Sequence, residues 1–257
     1  MERCILGAVP IADLSEAIRI PALRIILYHR TLHNEIVDRE HDVRWSIRNR
    51  DKAIVLPLEG DLPHAEAGAN YHAAAAQLIA KFGPRGQILV TSLGSGDGKS
   101  TTAMNLVLAF LGKQIKVCLV ELNLEHPILF QILGPSPVSY GVEDVLAGKT
   151  QPNDILCRRE DNGLHFCMVN QPQSETRSRD LLKPGDHLDA LLTYCGRHFD
   201  WTILDGPSLR GDVDGLELAL RVELTLLVIR RGRRTMEALD EATKELDPLR
   251  LSILLND

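Results

Sequence analysis

Two hydrophobic periodicities alternate from about residue 86 to the end of the chain, and this alternation constrains the fold more than any other feature. The short apolar runs "QILVT" (87 to 91), "KVCLVEL" (116 to 122), "LHFCMV" (164 to 169), "WTILD" (201 to 205), "ELTLLVIR" (223 to 230) and "RLSILLN" (250 to 256) read as strands. Their near-continuous hydrophobicity suits strands buried on both faces. Between them, Ala103, Leu106, Val107, Phe110 and Leu111 keep helical spacing, as do Leu181, Leu182, Leu188, Leu191 and Leu192, and then Met236, Leu239, Thr243 and Leu246. Repeated strand-helix-strand units predict an α/β fold with a mostly parallel central sheet flanked by helices. The stripes themselves are core contacts with no assigned chemistry.

At 257 residues the chain suits one large domain, placed at 61 to 257, preceded by an extension over 1 to 60. The extension holds "HRTLHNEIVDREHDVRWSIRNRDK" (29 to 52), dense in both signs of charge, which reads as one solvated helix anchored weakly by Ile36, Val43 and Ile47, or as a mobile arm. "LPLEGDLPHAEAGA" (56 to 69) reads as a linker into a helix built on Tyr71 to Leu78. A net charge of −6 provides no electrostatic footprint for nucleic acid, and none is expected as a partner. Five scattered cysteines without a CxxC pair fit a reducing cytoplasm. No apolar run approaches the ~20 residues that span a bilayer, so membrane association is expected to be peripheral, through a partner.

The segment "TSLGSGDGKSTT" (91 to 102) lies between the first apolar run and the first helical stripe. A phosphate cradle needs closely spaced backbone N–H groups, unobstructed by side chains, leading into a helix N-terminus. Gly94, Ser95, Gly96, Asp97, Gly98, Lys99, Ser100 and Thr101 supply that sequence, with Lys99 positioned for the β/γ-phosphates and the Ser100 hydroxyl for Mg²⁺. The strict GxxxxGK[ST] pattern would want glycine where Leu93 stands. Asp205, directly after "WTIL", falls where a P-loop NTPase carries its metal-linked Walker B carboxylate at a strand end. No GxSxG elbow is present.

These residues resemble the bacterial tyrosine kinases of capsule and exopolysaccharide assembly, within the deviant Walker ATPases that also include the septum-placing and partition ATPases. "ILVTSLGSGDGKSTTAMNL" is similar to that family's "TSxxPGEGKSTTAxNLA", which lacks the first loop glycine itself. "YGVEDVLAGK" (140 to 149) resembles its "GLSDVLxG", and "HFDWTILDGPS" its "YDxVIIDTPP", with Asp214 where the family often has an Asp before its next helix. "LLVIRRGRRTMEAL" and the terminal "ILLN" resemble its last two strands. The resemblance covers about residues 66 to 257 and implies ATP or ADP with Mg²⁺ as cofactors. It also implies a membrane-embedded polysaccharide-assembly partner at the inner face of the membrane, and homo-oligomerisation.

The departures bear on activity. The family's D-x-D-x-R motif falls on "CLVELNLEHP", where Glu121 and Asn123 stand for the two aspartates and Glu125 for the arginine. Glu121 remains a candidate acceptor or water-positioning base, whereas neutral Asn123 is a poorer metal ligand than a carboxylate. The ring-assembly element E-x-x-R-x-x-R falls on Glu66, Ala69 and His72, and no C-terminal tyrosine cluster is present, the tyrosines being Tyr28, Tyr71, Tyr140 and Tyr194. The basic run "RRGRR" (230 to 234) reads as a solvated loop or a nucleotide or partner contact. Three functions follow: a kinase or ATPase with Lys99, Asp205 and Glu121 as catalytic residues, a pseudo-kinase scaffold that binds nucleotide without turnover, or a partition-type ATPase. The last would want a lysine where Gly94 stands.

Overall fold

The computed structural model describes residues 24–26, 64–133, 138–159, 162–209, 213–230, 244, 246 and 250–256. Most of the extension, "RGRR" at 231 to 234, and Met236, Leu239 and Thr243 lie outside the described residues. The strands are β1 (Arg24–Ile26), β2 (Gly86–Ser92), β3 (Val117–Glu121), β4 (Cys157–Arg158), β5 (His165–Cys167), β6 (Trp201–Asp205), β7 (Leu224–Arg230) and β8 (Leu251–Asn256). They form one sheet in the order β1-β8-β7-β2-β6-β3-β5-β4, parallel throughout except for the β4–β5 pair. All six expected runs are strands, although 164 to 169 is strand only over His165–Cys167. Two short edge strands are added: Arg24–Ile26, inside the expected extension, runs parallel to β8, and Cys157–Arg158 pairs with β5.

The helices are α1 (His64–Phe82), α2 (Lys99–Gly112), α3 (Leu129–Leu133), α4 (Val142–Leu146), α5 (Glu175–Leu182), α6 (Asp186–His198) and α7 (Val213–Ala219). Two expectations need correction. The stretch read as a linker from 56 to 69 is helical from His64 onward. The leucine stripe from 181 to 192 is divided between α5 and α6, because Pro184 cannot continue a helix through Lys183-Pro184-Gly185.

Alternation along each strand separates two core layers, since successive side chains point to opposite faces. Ile88, Val90, Val117, Leu119, Ile203, Leu226 and Val228 pack with Tyr71, Ala75 and Leu78 of α1 and Leu106, Val107 and Phe110 of α2. Leu89, Cys118, Val120, Leu204, Leu227 and Ile229 pack with Val145 of α4, Leu182 of α5, Leu188, Leu191 and Cys195 of α6, and Leu218 of α7. In the first layer Trp201 stacks on Phe110, with ring centroids 5.1 Å apart at 27°, a contact of about 0.5–1.5 kcal/mol beyond the area it buries. Both faces are thus covered, as a parallel sheet requires. Among the described residues no helix is long and apolar enough to cross a membrane.

Chain order and spatial order differ where it matters most. The segment leaving β2 passes through α2 to β3, yet β6 lies between these two strands. That insertion places the C-terminal end of β6 beside the end of β2, the crevice in which open parallel sheets bind their ligands.

Candidate functional site

The turn from β2 into α2 is made by Leu93 to Gly98. Gly96 has φ 79° and Gly98, the N-cap of α2, has φ 96° and ψ 17°. Both lie in the left-handed region where a Cβ is unfavourable, so glycine at these two positions is a requirement of the turn. The Ser92 hydroxyl donates to the Gly94 carbonyl at 2.7 Å, fixing the start of the loop, and Thr102 N donates to Gly98 O at 2.9 Å, starting the helical ladder. Gly94 and Asp97 are buried, Ser95, Gly96 and Thr101 are exposed, and Gly98 and Ser100 lie between. Leu93, at the position of the missing glycine, is only 7% exposed and belongs to the same core layer as Leu89, Leu122, Leu124 and Leu209. It packs as a core residue below the loop.

Asp205 ends β6 in register with Val90 of β2 on one side and Glu121 of β3 on the other. The segment after it is tied to β2: Gly206 N donates to Val90 O, Leu209 N to Ser92 O, and the Thr91 hydroxyl to Pro207 O at 2.6 Å. Asp205 is fully buried, and neither carboxylate oxygen meets a donor in hydrogen-bond geometry. Burial pushes its carboxyl up from 3.8 to about 6, against the Ser100 hydroxyl and the Lys99 ammonium, which favour ionisation, and assisted by the charge of Glu121. Lys99 is 7% exposed, and its Nζ donates a long bond of 3.4 Å to the Ser208 hydroxyl, itself 3.4 Å from that of Ser92. Lys99 and Ser100 thus converge with Asp205, more than a hundred positions further along the sequence, at one strand crest.

Two buried carboxylate oxygens without a protein donor in hydrogen-bond geometry, beside a hydroxyl, are an unbalanced arrangement. A divalent cation fits it. Mg²⁺ binds through one or two protein oxygens while phosphate and water complete its octahedron. Among the described residues no group of three or more His, Cys, Asp or Glu is placed to hold a metal.

Glu121 stands one strand further from the loop and is already engaged. Its Oε1 accepts from Ile128 N at 2.6 Å and Leu129 N at 2.9 Å, and its Oε2 from Val169 N at 3.0 Å. Burial raises its pKa, the three amides lower it, and Glu143 raises it again, with a net rise. Glu143 is similarly occupied, accepting from Asn170 N at 3.1 Å and Gln171 N at 2.8 Å. Together the two carboxylates take the successive amides of 169, 170 and 171. Asn123 turns to the His126 carbonyl at 3.0 Å. In "YGVEDVLAGK", Asp144 caps α4 by accepting from Gly141 N at 3.1 Å and pairs with Lys149 at 2.7 Å.

Sequence reasoning gave no role to Thr91, Ser92, Ser208 or Glu143. For Thr91, Ser92 and Ser208 the only sequence signal was a hydroxyl flanking a strand end, which is too common to single out, and Glu143 reads as an ordinary helix residue. Of the basic run, Arg230 is described, and its Nη1 donates to the Gly96 carbonyl at 3.3 Å.

A glycine turn joining a central parallel strand to a helix, with Lys-Ser at the helix start and a buried Asp on the adjacent strand, defines a P-loop α/β fold. No family model matches the chain. It is 22% identical over 172 residues to the tyrosine-protein kinase CpsD of Streptococcus pneumoniae, covering 66% of this chain and 74% of that one. It is 32% identical over 127 residues to the septum site-determining protein MinD of Thermotoga maritima, covering 47% of this chain and 44% of that protein. Among solved structures, the kinase domain of the Escherichia coli tyrosine kinase ETK superposes with a TM-score of 0.71 at 17% identity, over 97% of this chain and 94% of that one. The chain is thus similar in sequence to bacterial tyrosine kinases and, over a shorter span, to a septum-site ATPase, and it shares the fold of a tyrosine-kinase domain.

Proposed function

We propose that this protein binds a magnesium nucleotide, ATP or ADP, at the loop from Gly94 to Thr101, as a kinase-like subunit of exopolysaccharide or capsule assembly. The observation that carries the reading is Asp205, a buried carboxylate with two bare oxygens beside Ser100 and Lys99 at the mouth of the loop. In this reading the backbone N–H groups of the loop and the N-terminus of α2 receive the phosphates, and Lys99 neutralises their charge. Ser100 and Asp205 hold Mg²⁺, whose chemistry is to offset charge on the phosphoryl oxygens. The relatives named as tyrosine-protein kinases support the kinase-like part of this reading; a place beside a polysaccharide-assembly protein at the inner face of the membrane, and homo-oligomerisation, belong to the same proposal.

Turnover depends on Glu121. With its carboxylate taken by three backbone amides and Asn123 turned to His126, the second acidic motif acts as an internal brace. That favours, as a second reading, a scaffold that binds nucleotide with little or no hydrolysis or tyrosine phosphorylation. The test is equilibrium binding of a fluorescent ATP analogue with Mg²⁺ to the native protein and to Lys99→Ala, alongside phosphate release and phosphotyrosine detection. Micromolar binding that weakens at least tenfold in the variant is expected, since a charged hydrogen bond is worth about 1.5–3 kcal/mol. No binding by the native protein would sink both readings, and binding without turnover selects the scaffold.

A further inference from the structure

Arg230 ends β7 beyond the point where β2 stops. Ser92, the last residue of β2, pairs with Val228, so Arg230 stands two residues further along, roughly 7 Å at strand rise, level with the glycine loop. Its Nη1 reaches across to the carbonyl oxygen of Gly96 at 3.3 Å. The Gly96–Asp97 peptide is trans, there being no cis bond, so its C=O and N–H point to opposite sides. A donor that holds the Gly96 oxygen on the β7 side directs the Asp97 N–H the other way, toward the side where β6 carries Asp205.

We infer that Arg230 is a positioning residue of the phosphate loop: by holding the Gly96 carbonyl, it presets the Asp97 amide to face the phosphate cradle. The use of that amide rests on the nucleotide-binding reading above. Gly96, at φ 79°, precedes this peptide, and Gly98, at φ 96°, follows Asp97; glycine on the carbonyl side offers little resistance to peptide rotation. An unanchored loop would therefore have to order its amides when phosphate binds. A guanidinium on the carbonyl removes that cost beforehand and polarises the amide, strengthening its N–H as a donor. The strand supplying the guanidinium is hydrogen-bonded directly to the strand that carries the loop, so the anchor and the loop share one rigid frame.

The test uses the full chain with Mg²⁺ and fluorescent ADP and ATP analogues, comparing the native protein, Arg230→Ala and Arg230→Lys. Arg230→Ala is expected to weaken ADP and ATP alike by about tenfold, and Arg230→Lys, which keeps one cationic donor, to recover most of that loss. The thermal midpoint is expected to stay within about 2 °C of native, as at a partly exposed site outside the core. In nucleotide-free protein, hydrogen exchange at the Asp97 amide should quicken several-fold in Arg230→Ala. Native-like affinity or unchanged exchange in Arg230→Ala overturns the proposal. So does a loss confined to ATP, which would make Arg230 a ligand of the terminal phosphate. If the native chain binds no nucleotide, the functional reading fails by itself, and faster exchange still upholds Arg230 as the anchor of the loop.

Discussion

Replacing Asp205 with asparagine should stabilise the protein in the absence of nucleotide while abolishing its response to magnesium nucleotide. The carboxyl is fully buried, with the Ser100 hydroxyl close by but outside strict hydrogen-bond geometry, and burial raises it from 3.8 to about 6. A folded-state value above the unfolded one means that folding favours the protonated form. That contribution is fully present below about pH 3.8 and is lost as pH rises through about 6. At about 1.4 kcal/mol per tenfold, the ionised carboxylate costs about 3 kcal/mol at pH 7.5. Asparagine mimics the neutral acid in shape but brings two N–H donors of its own into the crevice, so the expected gain is smaller, about 1–2 kcal/mol, or about 3–7 °C in thermal midpoint for a domain of this size. Urea unfolding at pH 5.0 and pH 7.5 measures it: the two proteins should differ little at pH 5.0, and Asp205→Asn should be the more stable at pH 7.5. Saturating Mg-ADP should then reverse the order by stabilising only the native protein. Equal or lower stability of Asp205→Asn at pH 7.5, with no change in the difference between the two pH values, would refute the account of this carboxylate as bare and desolvated.

Glu121→Gln should destabilise the protein by about 2–3 kcal/mol, because glutamine keeps one acceptor oxygen where three backbone amides converge and turns its own N–H₂ toward at least one of them. Urea unfolding with native-like stability would show that the brace is dispensable. Leu93→Gly, which would restore the strict loop pattern, should cost about 2–4 kcal/mol, since it empties a core position that is 7% exposed. Its affinity for Mg-ADP should be no tighter than native, and tighter binding would contradict the assignment of Leu93 to packing.

Much of the strand framework was legible because buried parallel strands are near-continuous apolar runs of limited length. The two strands missed have three and two residues, too short for any period to register. The same limit applies to α5 and α6, whose leucines form one stripe in sequence although Pro184 divides them in space. Lys99, Ser100 and Asp205 could be named in advance, since a glycine turn before a helix and an acid at a strand end carry their chemistry in local order. The state of Glu121 could not be. Its three amide partners lie 7, 8 and 48 positions away, and a carboxylate committed to backbone has the same letter as one free to accept a proton.

Local physics, held in the residue order, determined that a strand ends in a left-handed glycine turn and that a helix begins on Lys-Ser. Hydrophobic period alone made the sheet buried and parallel. Tertiary structure decided which strand ends meet. By inserting β6 between β2 and β3 it brought Asp205 to the loop, by running β7 past β2 it brought Arg230 to Gly96, and by folding 128, 129 and 169 onto Glu121 it converted an acidic motif into a brace. These contacts depend on strand order and on how far each strand extends, which arise from the packing of both core layers and are encoded in no short stretch of sequence.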